Sequence, residues 1–266
     1  MTLEFSIFCK STLGEEYSPS CFRESFQAIL QGSGDPTYLD WLLSAWGWTL
    51  SVAALGLVIA LAFGILMGTL RTIPAGNYLI GRGLIALANT WVEIFRNIPI
   101  LVQVFLWYHV LPVVIPAFKS FPSYLLVSIA LGFFTSARIA EQVKAGIESL
   151  PRGQKLASMA LGLTTIQSYR FVILPMALRI MIPPLTSEAM NIVKNSSVAF
   201  AVSVSDLTLF AMQAQEETSR GIEIYLAVTV LYAFTALFVN RIMALLERKT
   251  RVPGFIGANS STGGRS

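Results

Sequence analysis

Residues 41–70 read WLLSAWGWTLSVAALGLVIALAFGILMGTL, thirty residues between Asp40 and Arg71 without a single charge. A helix needs about 20 predominantly apolar residues to cross the hydrocarbon core of a bilayer, and this run exceeds that length. The rest of the chain has the same character. Of 266 residues, 54% are hydrophobic and only 13% are charged, with a mean hydropathy of +0.64. A soluble domain carries about 25% charged residues, so an ordinary soluble enzyme is excluded and much of the surface must face lipid.

Four more apolar regions follow. Residues 79–109 are interrupted by Glu93 and Arg96, then by Asn97 and Pro99, and read as one long or broken span. Residues 120–137 are uncharged and continue toward Val143. Residues 185–212 are punctured by Glu188, Lys194 and Asp206, and residues 224–240 are clean. The fold class expected is all-α: a polytopic membrane protein with about five transmembrane helices. Glu4 and Lys10 break the pattern of a cleaved signal peptide, so none is expected.

Charge asymmetry orients such a chain. Lys10 and Arg23 face at least five acids in the first forty residues. Lys144, Arg152, Lys155, Arg170 and Arg179 crowd one long connection, Glu216, Glu217 and Glu223 outnumber Arg220 in the next, and Arg241, Arg248, Lys249 and Arg251 follow the last span. The reading is N-terminus outside, C-terminus in the cytoplasm. A net charge of +4, scattered in this way, does not make the clustered basic face that nucleic acid requires.

Individual residues carry further expectations. Gly56, Ala60, Gly64 and Gly68 recur every four residues and would let another helix approach closely, within the chain or in a dimer. Cys9 and Cys21 match no metal pattern; they are two idle thiols, or a disulfide if that end lies in an oxidising compartment. Charges at membrane depth cost about 2.5–3.5 kcal/mol each unless they face protein or water. Glu93 and Arg96, three apart, would form an ion pair on one helical face or line a pathway. Lys194, Asn195 and Ser196 make a polar run that either meets an anionic substrate or caps and bridges helices. Arg138 and Glu141 are expected to tie the third span to the cytoplasmic loop, and His109 to sit in an interfacial belt with Trp107 and Tyr108.

The connection from Lys144 to Arg179 is long for a membrane protein and reads as structured. Pro151 suits a first helical turn, a helix runs to Leu161, and Gly162 suits the left-handed closing position. Thr164 or Thr165 caps a second helix that Pro175 should disturb. The first helix exposes Leu156, Met159 and Ala160 beside Arg152 and Lys155, fit for a lipid surface or a partner's groove.

Here the residues carry a resemblance. Glu141, Gly146-Ile147, Leu150-Pro151, Gly153-Gln154, Ala157, Ala160-Leu161-Gly162 and Leu174-Pro175 resemble the signature loop of ABC importer permeases of the polar amino acid uptake subfamily. Residues 95–103 (FRNIPILVQ), Pro183-Pro184, residues 191–196 (NIVKNS) and Asp206-Leu207 extend it, so that it covers about residues 42–246. Within that subfamily, residues 95–99, 137–143, 149–155 and 193–196 are similar to permeases of glutamate/aspartate importers. One departure stands out: where the family has Glu-Ala-Ala, this chain has Leu156-Ala157-Ser158, so no carboxylate is available there for docking.

The resemblance implies a type I ABC importer permease fold, with the transmembrane domain at 42–246 and a coupling loop at about 144–180; the charges make 1–41 a periplasmic segment, and the tail at 247–266, Gly/Ser-rich from Gly257, is expected to be disordered. It implies a subunit of the bacterial inner membrane that imports glutamate or aspartate by alternating access. Its partners would be two ATP-binding subunits, a second and different permease subunit, and a periplasmic amino acid-binding protein. Pro151, Arg152, Gly153, Gln154, Lys155, Leu156, Ala157, Met159, Ala160, Leu161 and Gly162 would couple to the ATPase, and Lys194, Asn195, Ser196, Arg96 and Glu93 would line the substrate path. The chain has no Gly-x-x-x-x-Gly-Lys-Ser/Thr loop, so ATP and magnesium would be used by the partner, with no cofactor or metal bound here and no enzymatic role. The competing readings are an ion-gradient-driven secondary transporter, which favours halves of matched hydropathy that five spans do not provide, and a membrane-embedded enzyme, for which no ligand cluster or nucleophile is arranged.

Overall fold

The computed structural model describes residues 5–10, 12, 37–74 and 79–250. Cys21 and residues 251–266 lie outside these residues, and residues 247–250, the start of the tail expected to be disordered, are helical. The described residues form short 3-10 turns at Phe5–Cys9 and Pro116–Ser120 and eight helices. These are α1 (Tyr38–Leu70), α2 (Leu79–Asn97), α3 (Ile100–Val114), α4 (Ser123–Glu148), α5 (Arg152–Ala160), α6 (Thr165–Val202), α7 (Leu207–Thr218) and α8 (Gly221–Thr250). By length and composition α1, α4, α6 and α8 can each cross a membrane, and α2 with α3, bent by 108° at their break, are apolar enough together to be either a fifth, broken span or a re-entrant loop.

The bend follows from Pro99. Proline pushes the residue before it out of the helical region, and Pro99 itself sits at φ −57°, ψ 140° as the N-cap of α3. Gln103 is 1% exposed, and its Nε2 donates to the Ile98 carbonyl at 2.9 Å, an acceptor left over by the break. A buried amide in apolar surroundings needs such a partner.

The chain divides into two compact units. The first takes the described residues of Met1–Ala60, Ile98–Phe134 and Asn191–Leu237; the second takes those of Leu61–Asn97, Thr135–Met190 and Phe238–Ser266. In the first, Val52, Val104, Val127, Leu131 and Ala199 form one apolar cluster, and Leu42, Leu207, Phe210 and Ile224 form another. Thr49 Oγ1 accepts from the Leu207 amide at 3.1 Å. In the second, Met67, Ala88, Val92, Ala137 and Ala140 pack together, with Phe63 and Trp91 stacked at 5.3 Å.

The small-residue stripe of α1 packs inside the chain. A Cβ on Gly68 would fall 2.7 Å from the Ala140 carbonyl and 2.5 Å from Val143 Cβ, and one on Gly64 2.5 Å from Ile139 Cγ2, all on α4. In the other unit, a Cβ on Gly132 of α4 would fall 2.6 Å from Ile59 Cγ2. Lipid gives no hydrophobic reward for helix association, so this closeness is what holds α1 to α4.

Three expectations are corrected here. The fourth span is displaced: it covers Thr165–Val202, not residues 185–212, because Ser203 at φ 58° turns the chain and Asp206 opens the separate helix α7. Pro175 does not end the second helix of the connection. The turn before it, Tyr169–Ile173, is π-helical, which absorbs the clash of the proline ring with the preceding turn. The connection itself is correspondingly shorter, since α4 runs on to Glu148 and α6 begins at Thr165.

Candidate functional site

The short helix α5 is built by its ends. Pro151 occupies the N-cap with no side-chain cap. At the other end the Gly162 amide donates to the Met159 carbonyl at 3.0 Å and the Leu163 amide to the Ser158 carbonyl at 3.2 Å, with Gly162 at φ +78°. That is the Schellman arrangement, in which only glycine enters the left-handed position without strain. Thr164 then caps α6 through a full capping box with Gln167.

One face of α5 is held by the chain. Ser158 is 2% exposed, donates to the Lys155 carbonyl at 2.7 Å and shares a hydrogen bond with Ser168 of α6. The other face is open: Leu156 is 65% exposed, Met159 55% and Leu161 81%, with Arg152, Ala157 and Ala160 exposed and Gln154 and Lys155 half-buried. A Cβ on Gly153 would meet nothing within 4 Å. Nothing in this chain asks for a glycine there, whereas a surface pressed against the backbone would.

Lys144 and Glu148 pair along α4 at 3.9 Å, but the other charges of α4 pair across helices. Glu141 on α4 takes Arg71 Nη1 at 3.1 Å and Arg96 Nη1 at 3.3 Å, and Arg71 Nε also donates to Asn89 Oδ1 at 2.8 Å. Arg96 therefore pairs with Glu141 and not with Glu93, which is exposed. Arg138 pairs with the buried Glu188 at 3.2 Å, and Gln142 Nε2 donates to the same carboxylate at 3.1 Å. Arg138 and Glu141 thus bind α4 to its neighbouring helices, not to the cytoplasmic loop as the sequence suggested, because each finds a stronger, charge-assisted partner.

The polar run in α6 belongs to the first unit. Ser196 is fully buried and donates to the Val193 carbonyl at 2.8 Å. Asn195 is half-buried at the start of a 3-10 stretch, and Lys194 is exposed. Asp206, fully buried, caps α7 by accepting from the Leu209 amide at 2.9 Å, and burial pushes its carboxyl up to about 6. His109 is exposed in a π-helical turn, ringed by Phe105 and Tyr108 at 5.7 and 4.8 Å. Cys9 is disulfide-bonded; the sequence holds one other cysteine, Cys21. No group of three or more metal-ligating side chains occurs among the described residues.

One cavity adjoins α5 and a second lies along the start of α6. One, of about 280 Å³, is lined by Arg71, Arg152, Lys155, Glu148 and Gln154 among others. The other, of about 430 Å³, is lined mainly by apolar residues of α6 and the end of α1. Tyr169 lines both, and its hydroxyl donates to the Thr72 carbonyl.

Comparison with known proteins places this geometry. Residues 60–252 match the family model described as "Binding-protein-dependent transport system inner membrane component". The chain is 40% identical over 234 residues to the glutamate/aspartate import permease protein GltJ of Escherichia coli (strain K12), across 84% of this chain and 93% of the relative. It is 31% identical to the glutamine transport system permease protein GlnP of the same organism, across 77% and 90%. Among solved structures it is similar to an amino acid ABC transporter crystallised with histidines, at 27% identity and a TM-score of 0.68 over 84% of this chain and 98% of the other. An inward-facing methionine transporter MetNI shares the fold at 22% identity and a TM-score of 0.68, across 80% and 97%. The chain belongs to the binding-protein-dependent inner-membrane transport family and is a multi-pass permease of an amino-acid ABC importer.

Proposed function

We propose that this chain is the permease of a glutamate/aspartate importer, one of two different permease subunits served by two ATP-binding subunits and a periplasmic binding protein. The observation that carries the substrate class is the 40% identity to GltJ over 84% of this chain and 93% of the relative, against 31% to GlnP. Its ATP and magnesium are used by the ATP-binding subunits, and the work reaches this chain through contact. The open face of α5, Leu156 and Met159 with Arg152 and Lys155 at its rim, fills a groove of that partner, and Gly153 lets the partner approach the backbone. Pro151 and Gly162 set the ends of the plug, with Gln154, Ala157, Ala160 and Leu161 completing it. Closure of the ATPases then moves the attached spans between outward-open and inward-open states.

In the same reading Lys194, with Asn195 and Ser196, offers a cation to an acidic substrate, and Arg96 and Glu93 are further candidates for lining the substrate path. The N-terminus lies in the periplasm and the C-terminus in the cytoplasm. Two observations support that orientation: the distribution of Lys and Arg among the loops, and the disulfide at Cys9, a bond that persists in oxidising compartments.

The test is uptake of labelled glutamate, aspartate and glutamine into vesicles holding the complete complex, with internal ATP and external binding protein. Glutamate and aspartate uptake that needs both, and that Lys194→Ala lowers about tenfold, is the expected result; a lost hydrogen bond to a charged group is worth about 1.5–3 kcal/mol. Glutamine as the preferred substrate, or uptake that ignores ATP and follows an ion gradient, would overturn it.

A further inference from the structure

Two cavities, one beside α5 and one along the start of α6, have complementary chemistry and share Tyr169 as a common wall. The 280 Å³ cavity is lined by Arg71, Arg152 and Lys155, and its one acid, Glu148, already faces Lys144 at 3.9 Å. Arg152 and Lys155 have no carboxylate partner among the described residues. Arg71 is bound to Glu141, but that carboxylate also serves Arg96, so the trio keeps a positive charge. The Gln154 amide has a buried Oε1 with no donor, and rotation of the amide turns its NH₂ group to the same point.

Across Tyr169 the second cavity changes character. Ile73, Ile166, Leu174, Pro175 and Leu178 line it, with Arg170 as its one charged wall. The pair lies where α1 ends at Leu70, α4 ends at Glu148 and α6 begins at Thr165. Those are ends of helices long and apolar enough to cross a membrane, and the ends of such spans meet the lipid headgroups. A free anion would be satisfied by the first cavity alone and gives no reason for the second. A molecule with a phosphate at one end and a hydrocarbon chain at the other fits both.

We infer that this chain holds an anionic phospholipid at the foot of α5, its phosphate in the cavity of Arg71, Arg152 and Lys155 and an acyl chain in the apolar cavity behind Tyr169. The lipid would brace α5 against the spans it joins. It is a ligand of the permease in addition to the transported amino acid, and its binding does not depend on which amino acid that is.

The experiment is native mass spectrometry of the complete complex, delipidated in mild detergent and titrated with phosphatidylglycerol, phosphatidylcholine or inorganic phosphate. Phosphatidylglycerol should bind while phosphatidylcholine does not, and excess phosphate should fail to displace it. Each basic residue near an anionic surface contributes about fivefold, so Arg71→Gln should weaken phosphatidylglycerol about fivefold. Should loss of the Glu141 contact spoil folding of that variant, Arg152→Gln with Lys155→Gln, neither of which holds an ion pair among the described residues, should weaken it about 25-fold in complexes whose mass shows every subunit retained. Equal binding of the two lipids, displacement by phosphate, or binding unchanged in the double variant would overturn the inference. So would binding to the isolated permease but not to the complex, which would give the cavity to the ATPase instead.

Discussion

Asp206 shows how much one residue depends on a turn the sequence does not announce. It stands in a hydrophobic stretch and reads as a charge inside the fourth span, yet it caps α7 after the span has ended. The turn is made by Ser203 in the left-handed region, a conformation usually signalled by glycine or asparagine, so nothing in the sequence marks it. Burial raises the Asp206 carboxyl from the usual carboxylate range to about 6, against about 3.9 in an unfolded chain. A carboxyl raised on folding stabilises the fold fully below the unfolded value, and that stabilisation is lost as pH rises from about 4 through 6. Two units correspond to about 3 kcal/mol. Asp206→Asn keeps a capping oxygen and removes the titration. The melting temperature of wild type relative to Asp206→Asn, followed in detergent, should therefore fall between pH 4 and 6 and level off above; a constant difference would show that the carboxyl does not titrate in that window.

At the scale of an element, α5 was the most legible part of the chain and its surroundings the least. Pro151, Gly162 and Thr164 act locally, through caps and a left-handed turn, so their residue types reveal their roles. Glu141 does not: its partners Arg71 and Arg96 lie 70 and 45 positions away in the chain, and only the packing of α1, α2 and α4 brings them together. The same holds for Pro175, which the π-helical turn carries into α6 without a break. The open face of α5 gives the sharpest element-level test. Leu156 touches solvent over 65% of its surface, so Leu156→Lys, which places a charge there without restoring the family's carboxylate, should leave insertion and melting of the permease unchanged. In a partner groove it should act as a hot spot, whose loss costs about 2 kcal/mol or more, about thirtyfold in association with the ATPase. Co-purification of the ATPase and substrate-stimulated ATP hydrolysis measure it. Undiminished values for both would mean that α5 docks through another face or not at all.

For the whole molecule, everything about sidedness turns on the 108° bend between α2 and α3. If the two helices together cross the bilayer, the chain makes five crossings and its termini face opposite compartments. If they dip in and return, it makes four and the termini share one. The hydropathy of the sequence is the same in both cases, because each half is apolar by itself and composition carries no angle. The charges favour five: Arg82 precedes the pair and Glu216 and Glu217 follow the third helix after it, a distribution that satisfies the positive-inside rule only if α2 and α3 change sides. In a background of Cys9→Ser and Cys21→Ser, single cysteines at Arg82, Ala117, Thr165, Glu216 and Lys249 place the question in reach of a membrane-impermeant maleimide. Ala117→Cys and Glu216→Cys should react in intact spheroplasts, and Arg82→Cys, Thr165→Cys and Lys249→Cys only after permeabilisation. The pair Arg82 and Ala117 decides the matter, since they flank the bend. Labelling of both from one side would make α2 and α3 a re-entrant hairpin, and would put the Cys9 disulfide and the C-terminus in the same compartment.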